Sequence, residues 1–244
     1  MWIPSKQDVV EVHAHLERLF EREDDPISPS GVKSQSLLES ACTRPHTGMG
    51  DHEKYPSTEL KLAALFHSLT KNHPFHNGNK RTALATLLTA LSRNGKRLDS
   101  SINDDAIYKF VLAVTADEFP TPEHGKDVDQ VVHEISHWIK SHTGSLPAKA
   151  SSMRVAEFVD RCAEAGARTK LANGATIISN GTANIRISKS TRRIDGAVVR
   201  SYLRTLRLNE SHTGASIDEF QEGVSADRRE IYRYLKAMRR LAKT

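Results

Sequence analysis

The sequence predicts a mainly α protein in two parts: an all-helical N-terminal domain, then a smaller basic α+β domain made of helices and a β-hairpin. Three observations predict it. Apolar residues recur at helical spacing as far as Lys140. The small, mostly polar stretch from Thr143 to Ser152, with Pro147 inside it, reads as a linker. The charge then changes sign: up to Gly144 there are 16 Lys and Arg against 20 Asp and Glu, and beyond it 19 against 10, so −4 and +9 give the net +5. The expected division is therefore 1–142, a linker at 143–152, and 153–244.

The chain has 244 residues, 38% of them apolar, which is enough for one full core or two smaller ones. Its longest apolar run, around Ala63 to Leu69, is far short of the ~20 residues that cross a bilayer, and Met1 to Val9 lacks the basic and apolar blocks of a signal peptide. No membrane segment is expected, and the location expected is cytoplasmic. Cys42 and Cys162 lack the paired spacing of a zinc site, so they are expected as buried small residues, without a disulfide.

In order along the chain, Ser5 with Asp8 three residues on is an approximate capping box for a first helix carrying Val9, Val12, Leu16, Leu19 and Phe20, which ends before Pro26. A second helix is expected from Ser34 to Cys42. Arg44 to Tyr55, with Pro45, Gly48 and Gly50, reads as a loop or short hairpin. Ser57 opens a third helix that must stop at His73, because Pro74 disfavours helical geometry in the residue before it. A fourth runs from Asn79 to Arg93, buried through Ala83, Leu84, Leu87, Leu88 and Leu91 and stopped by Asn94-Gly95. Two more follow, at Asp104 to Ala116 and Val128 to Lys140. Beyond the linker come a helix through Val155, Phe158, Val159 and Cys162, strands at 175–179 and 182–188 around Asn180-Gly181, and a helix from Gly196 to Leu208. Asn-Gly is a strong hairpin signal because both turn positions need positive φ. Ser216 with Glu219 opens another helix, Gly223 breaks it, and a last helix holds Ile231, Leu235 and Met238 on one face.

Chemistry concentrates in His73-Pro74-Phe75-His76-Asn77-Gly78-Asn79-Lys80-Arg81. The free N–H groups and positive dipole end of the helix opening at Asn79, flanked by two cations, make phosphate the expected ligand. Gly78 lets backbone approach that ligand closely. An imidazole next to a bound phosphate, with a pKa near working pH, can take the proton of an attacking hydroxyl.

This segment resembles the Fic/Doc family motif, His-x-Phe-x-(Asp/Glu)-(Gly/Ala)-Asn followed by Gly-Arg in Fic proteins or Lys-Arg in Doc toxins. Lys80-Arg81 is similar to the Doc branch, and the likeness extends, more weakly, over about residues 1–142. The resemblance implies that His73 is the base activating a Ser or Thr hydroxyl of a target protein, and that Phe75 packs into the core. It implies that Gly78, Asn79, Lys80 and Arg81 hold the phosphates of ATP, and that the flap residues Lys54 and Tyr55 meet the target. Asn77 stands where the family carries a carboxylate for Mg²⁺; a neutral amide oxygen brings no charge to a hard cation. In the Doc branch the terminal phosphate is transferred, with translation elongation factor Tu the implied target; the Fic branch transfers AMP. The family's self-inhibitory Ser/Thr-x-x-x-Glu-Gly/Asn motif was not found, so restraint is expected from a separate antitoxin.

In the basic part, the final helix with the turn at Gly223-Val224-Ser225 has helix-turn-helix spacing, with Arg229, Arg233, Lys236 and Arg240 as candidate DNA or RNA contacts. A solvated basic surface on amphipathic helices reads the same residues without nucleic acid. A non-catalytic Fic/Doc-derived binding or regulatory module, disabled at Asn77, is the competing reading of the whole chain.

Overall fold

The computed structural model describes residues 1–50, 52–121, 127–145, 150–213, 217–222 and 230–244. It divides into two compact units: residues 1–144 with 227–244, and residues 145–226.

The first unit is built around two buried helices, α3 (Thr58–Asn72) and α4 (Asn79–Arg93). Ser57 caps α3 by accepting the N–H of Leu60. Every residue from Arg81 to Ser92 is buried, so α4 is not a one-sided amphipathic helix but the central rod of the unit. Around this pair pack α1 (Lys6–Phe20), α2 (Gln35–Thr43), α5 (Asp104–Thr115) and α6 (Val128–Ser141). The expected capping box opens α1: the Asp8 N–H donates to Ser5 Oγ at 3.2 Å and the Ser5 N–H returns to Asp8 Oδ2 at 2.8 Å. Between α2 and α3 lie a 3-10 turn at Arg44–His46 and a small hairpin of β1 (Gly48–Met49) and β2 (His52–Glu53). A further strand, β3 (Lys96–Leu98), follows α4.

The second unit pairs three antiparallel strands, β4 (Arg168–Ala172), β5 (Ala175–Asn180) and β6 (Ala183–Ser188), in sequential order. Helices α7 (Val155–Glu164) and α8 (Gly196–Thr205) supply Phe158, Cys162, Val199 and Leu203 to its core, which also holds Ile178, Ile185 and Ile187. A hairpin forms where Asn180-Gly181 predicts one, but its turn sits one residue later: Asn180 still pairs with Ala183, Gly181-Thr182 make the turn, and of the predicted pair only Gly181 has positive φ, 57°. Strand β4 was not expected, since Arg-Thr-Lys-Leu-Ala lacks apolar alternation. Its signal was a second Asn-Gly, at 173–174, and here both residues do have positive φ, 47° and 71°. Short helices α9 (Glu210–Thr213) and α10 (Ile217–Glu222) complete this unit. Both cysteines are free and buried.

The last helix departs from the sequence expectation. α11 (Leu235–Leu241), with Ile231 and Tyr234 before it, packs in the first unit, against α4 and α5, and not in the basic domain; the expected turn Gly223-Val224-Ser225 lies outside the described residues. Ile231, Tyr234, Ala237, Met238 and Leu241 are all buried in that core, and the Tyr234 hydroxyl donates to the Ile102 carbonyl at 3.0 Å. The physical reason is apolar: a helix with that buried stripe needs a partner face. Met238→Ala should therefore destabilise the first unit by about 2–5 kcal/mol, read by denaturant unfolding followed through Trp2 and Trp138, which both belong to that unit.

Candidate active site

The loop joining α3 to α4 carries the residues singled out by sequence. His73 closes α3 in left-handed geometry (φ 47°, ψ 57°), a conformation few side chains adopt, imposed here between a buried helix and Pro74. The turn that follows is braced from both sides. Asn79 Oδ1 accepts the Phe75 N–H and Asn79 Nδ2 donates to the Phe75 carbonyl, each at 2.9 Å. Phe75 is 1% exposed and stacks on His13 at 3.9 Å. Gly78 is required twice over: its φ is 72°, and a Cβ there would meet Ile27 at 2.9–3.3 Å.

The segment between α1 and α2 wraps this loop, which sequence reading missed. Val32 bridges to Phe75, the N–H groups of Lys33 and Ser34 donate to the Pro74 carbonyl at 2.8 and 3.0 Å, and the His76 N–H donates to the Gly31 carbonyl at 3.1 Å. Only Pro26, Pro29 and Gly31 hinted at an ordered turn there. Beneath it runs a buried chain: Glu17 accepts from the Gly31 N–H at 2.8 Å and lies 3.0 Å from His13 Nε2, while His13 Nδ1 meets Thr82 Oγ1 at 2.8 Å.

His73 has its pKa lowered, first by desolvation and then by the charges of Lys80, Lys71 and Lys33. It is thus held neutral, the form that accepts a proton. No side chain caps the N-terminus of α4, which leaves its first-turn N–H groups facing the loop without a side-chain partner at the cap. Lys80, in that first turn, has its pKa lowered by desolvation and donates to the Thr244 carbonyl oxygen at 2.5 Å and to Thr244 Oγ1 at 3.3 Å.

Other site residues take places the motif did not foretell. Arg81 is 2% exposed, lies over the Phe20 ring and donates to the Asp25 carbonyl at 2.9 Å, so it ties the α1–α2 loop to α4 and does not face an open cleft. Asn79 is committed to Phe75. Asn77 Nδ2 donates to the Ser28 carbonyl at 2.9 Å and its Oδ1 accepts the Gly78 N–H at 2.6 Å. Magnesium does not fit these donors: the amide oxygen is already engaged and uncharged, and the described residues contain no group of three or more His, Cys, Asp or Glu able to hold a metal ion.

The expected flap contacts are likewise engaged. Tyr55 is 1% exposed and donates to Asp129 Oδ1 at 3.0 Å, Lys54 pairs with Asp129 Oδ2 at 2.5 Å, and Arg44 joins them while reaching His67 and Ser68. These side chains anchor the hairpin to α6; its exposed apolar residue is Met49. Burial and the Arg44 charge push the His67 pKa down to about 4, so it is a neutral structural partner. Of the candidate nucleic-acid contacts, Arg233 donates to the carbonyls of Leu98 and Asp99 at 2.9 and 3.1 Å. Arg240 pairs with Asp105 at 3.0 Å and covers the Tyr108 ring. Lys236 is exposed, and Arg229 lies outside the described residues.

Residues 3–91 match the sequence model of the Fic/DOC family, and this segment is Fic/Doc-like. Over 74 residues the chain is 39% identical to Toxin Doc of Mycolicibacterium smegmatis (strain ATCC 700084 / mc(2)155); the alignment covers 30% of this chain and 57% of that toxin. The match therefore spans little more than half of that relative's length. No solved structure matches. Among the described residues no helix is long and apolar enough to cross a membrane.

The cations beside His73 make a direct prediction. Followed by NMR of the ring protons, His73 should titrate below 6.5, and Lys80→Ala should move its pKa up, because removing a nearby positive charge stabilises the imidazolium.

Proposed function

We propose that the first unit is a Doc-like toxin transferase that moves the terminal phosphate of ATP to a Ser or Thr hydroxyl of a target protein. The observation that carries this reading is a neutral His73 fixed in a left-handed corner, with Lys80 and the uncapped N-terminus of α4 beside it. A proton acceptor and an anion cradle are the two parts that the chemistry asks for.

In this reaction the target hydroxyl gives its proton to the His73 ring as its oxygen bonds to the γ-phosphorus. The bond from that phosphorus to the bridging oxygen breaks, and ADP leaves. Lys80 and the first-turn N–H groups of α4 offset the charge on the phosphate oxygens. Asn79 and Phe75 keep the loop from collapsing into the cradle, and Arg81 holds the α1–α2 segment against it. ATP requires the Lys80 ammonium to exchange Thr244 for phosphate. A divalent ion would have to arrive with the nucleotide, since Asn77 supplies no charged ligand. By chemistry alone the target is a protein hydroxyl; elongation factor Tu is the candidate that the Doc likeness offers, and a separate antitoxin is the restraint it offers.

A second reading, a non-catalytic binding or regulatory module, is favoured by the engagement of the Asn77 amide with Ser28 and Gly78 and of Lys80 with Thr244. The two separate in one assay, with purified protein, Mg²⁺, a bacterial lysate and ATP labelled at the γ- or the α-phosphate. Our reading predicts protein-bound label from the γ position alone and a loss of about 10²–10⁴ in rate for His73→Ala. Label from the α position marks AMP transfer; label that appears only in Asn77→Asp marks the disabled module.

A further inference from the structure

The second unit leaves part of its own core face uncovered. In the sheet register Leu171 lies opposite Thr176, and Thr176 opposite Ile187; the neighbouring row is Thr169, Ile178 and Ile185. Residues directly opposite, or two apart on one strand, share a face of the sheet. Ile178, Ile185 and Ile187 are buried on that face beneath the helices, yet Leu171 at its β4 end is 75% exposed. The gap is a cleft of about 600 Å³ whose apolar wall is Val155 and Val159 of α7 and whose floor includes Leu171 and Thr176.

The rim of this cleft is cationic. Arg154, Lys170, Lys189 and Arg192 line it against a single carboxylate, Asp160. All four cations are exposed and none is in an ion pair among the described residues. The unit as a whole is basic, with 12 Lys and Arg against 8 Asp and Glu in residues 145–226. Strand β4 also stands at the edge of the sheet, so its outer backbone groups have no strand partner within it.

We propose that this cleft is a docking site for an extended, acidic polypeptide segment of a partner protein, which seats one large apolar side chain over Leu171 while its carboxylates meet the four rim cations. An edge strand offers backbone hydrogen bonds to such a segment, and the pocket beside it offers selection by side chain. Nucleic acid fits the charge but not the floor. Bases are held on aromatic faces, and the lining here is aliphatic, with no Phe, Tyr, Trp or His in it. Lysine guarding an edge strand is a common way of keeping strands apart, but that role needs neither a cleft nor a leucine aimed along the core face.

The test uses the full chain, immobilised, against a phage-displayed library of random 12-residue peptides, with Leu171→Asp as the counter-selection bait. A selected peptide is then synthesised with a fluorophore, and its affinity is measured beside a fluorescent single-stranded 12-nucleotide RNA. The expected result is a peptide with Asp or Glu on both sides of one bulky apolar residue. Its affinity should fall tenfold or more in Leu171→Asp and in Lys170→Glu/Arg192→Glu, hold in Leu171→Met, and weaken with salt. Because the substituted side chains are exposed, unchanged thermal unfolding separates lost docking from lost folding. The proposal is overturned by selected peptides without acidic residues, by binding indifferent to Leu171, or by RNA that binds more tightly than any peptide and ignores Leu171→Asp.

Discussion

The two hydrogen bonds between the Asn79 amide and the Phe75 peptide unit are the constraint on which the site depends. They close the turn between α3 and α4, and the ring of Phe75 then has one place to go, the core position against His13. With Phe75 buried, Pro74 presents its carbonyl to Lys33 and Ser34, and His73 is left in its left-handed corner at the end of α3. Leaving a buried amide pair unmade costs about 1–3 kcal/mol for each stranded group, and this part-buried pair should lie toward the lower end. The turn is thus held by its own polar groups as well as by packing. The chemistry proposed for the site uses what that constraint delivers: one neutral imidazole, one lysine, one helix N-terminus.

Charge distributes differently from the way the linear sequence suggests. Of the +9 that follows Gly144, residues 227–244 hold 7 Lys and Arg against 2 Asp and Glu, so +5 of it returns to the first unit, whose residues 1–144 carry −4. The pairs are visible: Arg239 with Glu23 at 2.6 Å, Arg240 with Asp105, and Lys243 near Asp25 at 3.8 Å. Exposed pairs of this sort contribute little stability individually. The buried stripe of α11 supplies the attraction, and the charges orient it. Its consequence for chemistry lies at the end of the segment, where Thr244 meets Lys80. In the proposed reaction a nucleotide phosphate would have to displace this carbonyl from the Lys80 ammonium.

Much of this was legible in the sequence because local rules and tertiary packing agree. Ser5, Ser57 and Pro74 mark helix ends that the structure reproduces, and Asn180-Gly181 marks its hairpin, with the turn one residue later at Gly181-Thr182. The motif placed His73 and Lys80 together, and His73 is exposed at the turn, as the proposed base would have to be. What was not legible depends on distant partners. Arg81 and Asn79 read as phosphate ligands, but their side chains are spent on Asp25 and Phe75, which spacing along the chain does not reveal. Tyr55 and Lys54 read as flap contacts until Asp129, far along the sequence, is seen to take both. Arg233 and Arg240 looked solvated because amphipathicity shows a polar face without showing what that face meets.

In the proposed enzyme the Asn79 clamp, by fixing the turn, sets up the site of transfer. Asn79→Ala compared with the unaltered protein, in initial rate of label transfer from γ-labelled ATP, tests it most directly, with Trp2 and Trp138 fluorescence confirming that the first unit is folded. The account predicts a folded variant whose rate falls at least tenfold, toward that of His73→Ala. A folded Asn79→Ala protein that transfers phosphate at the unaltered rate would contradict it.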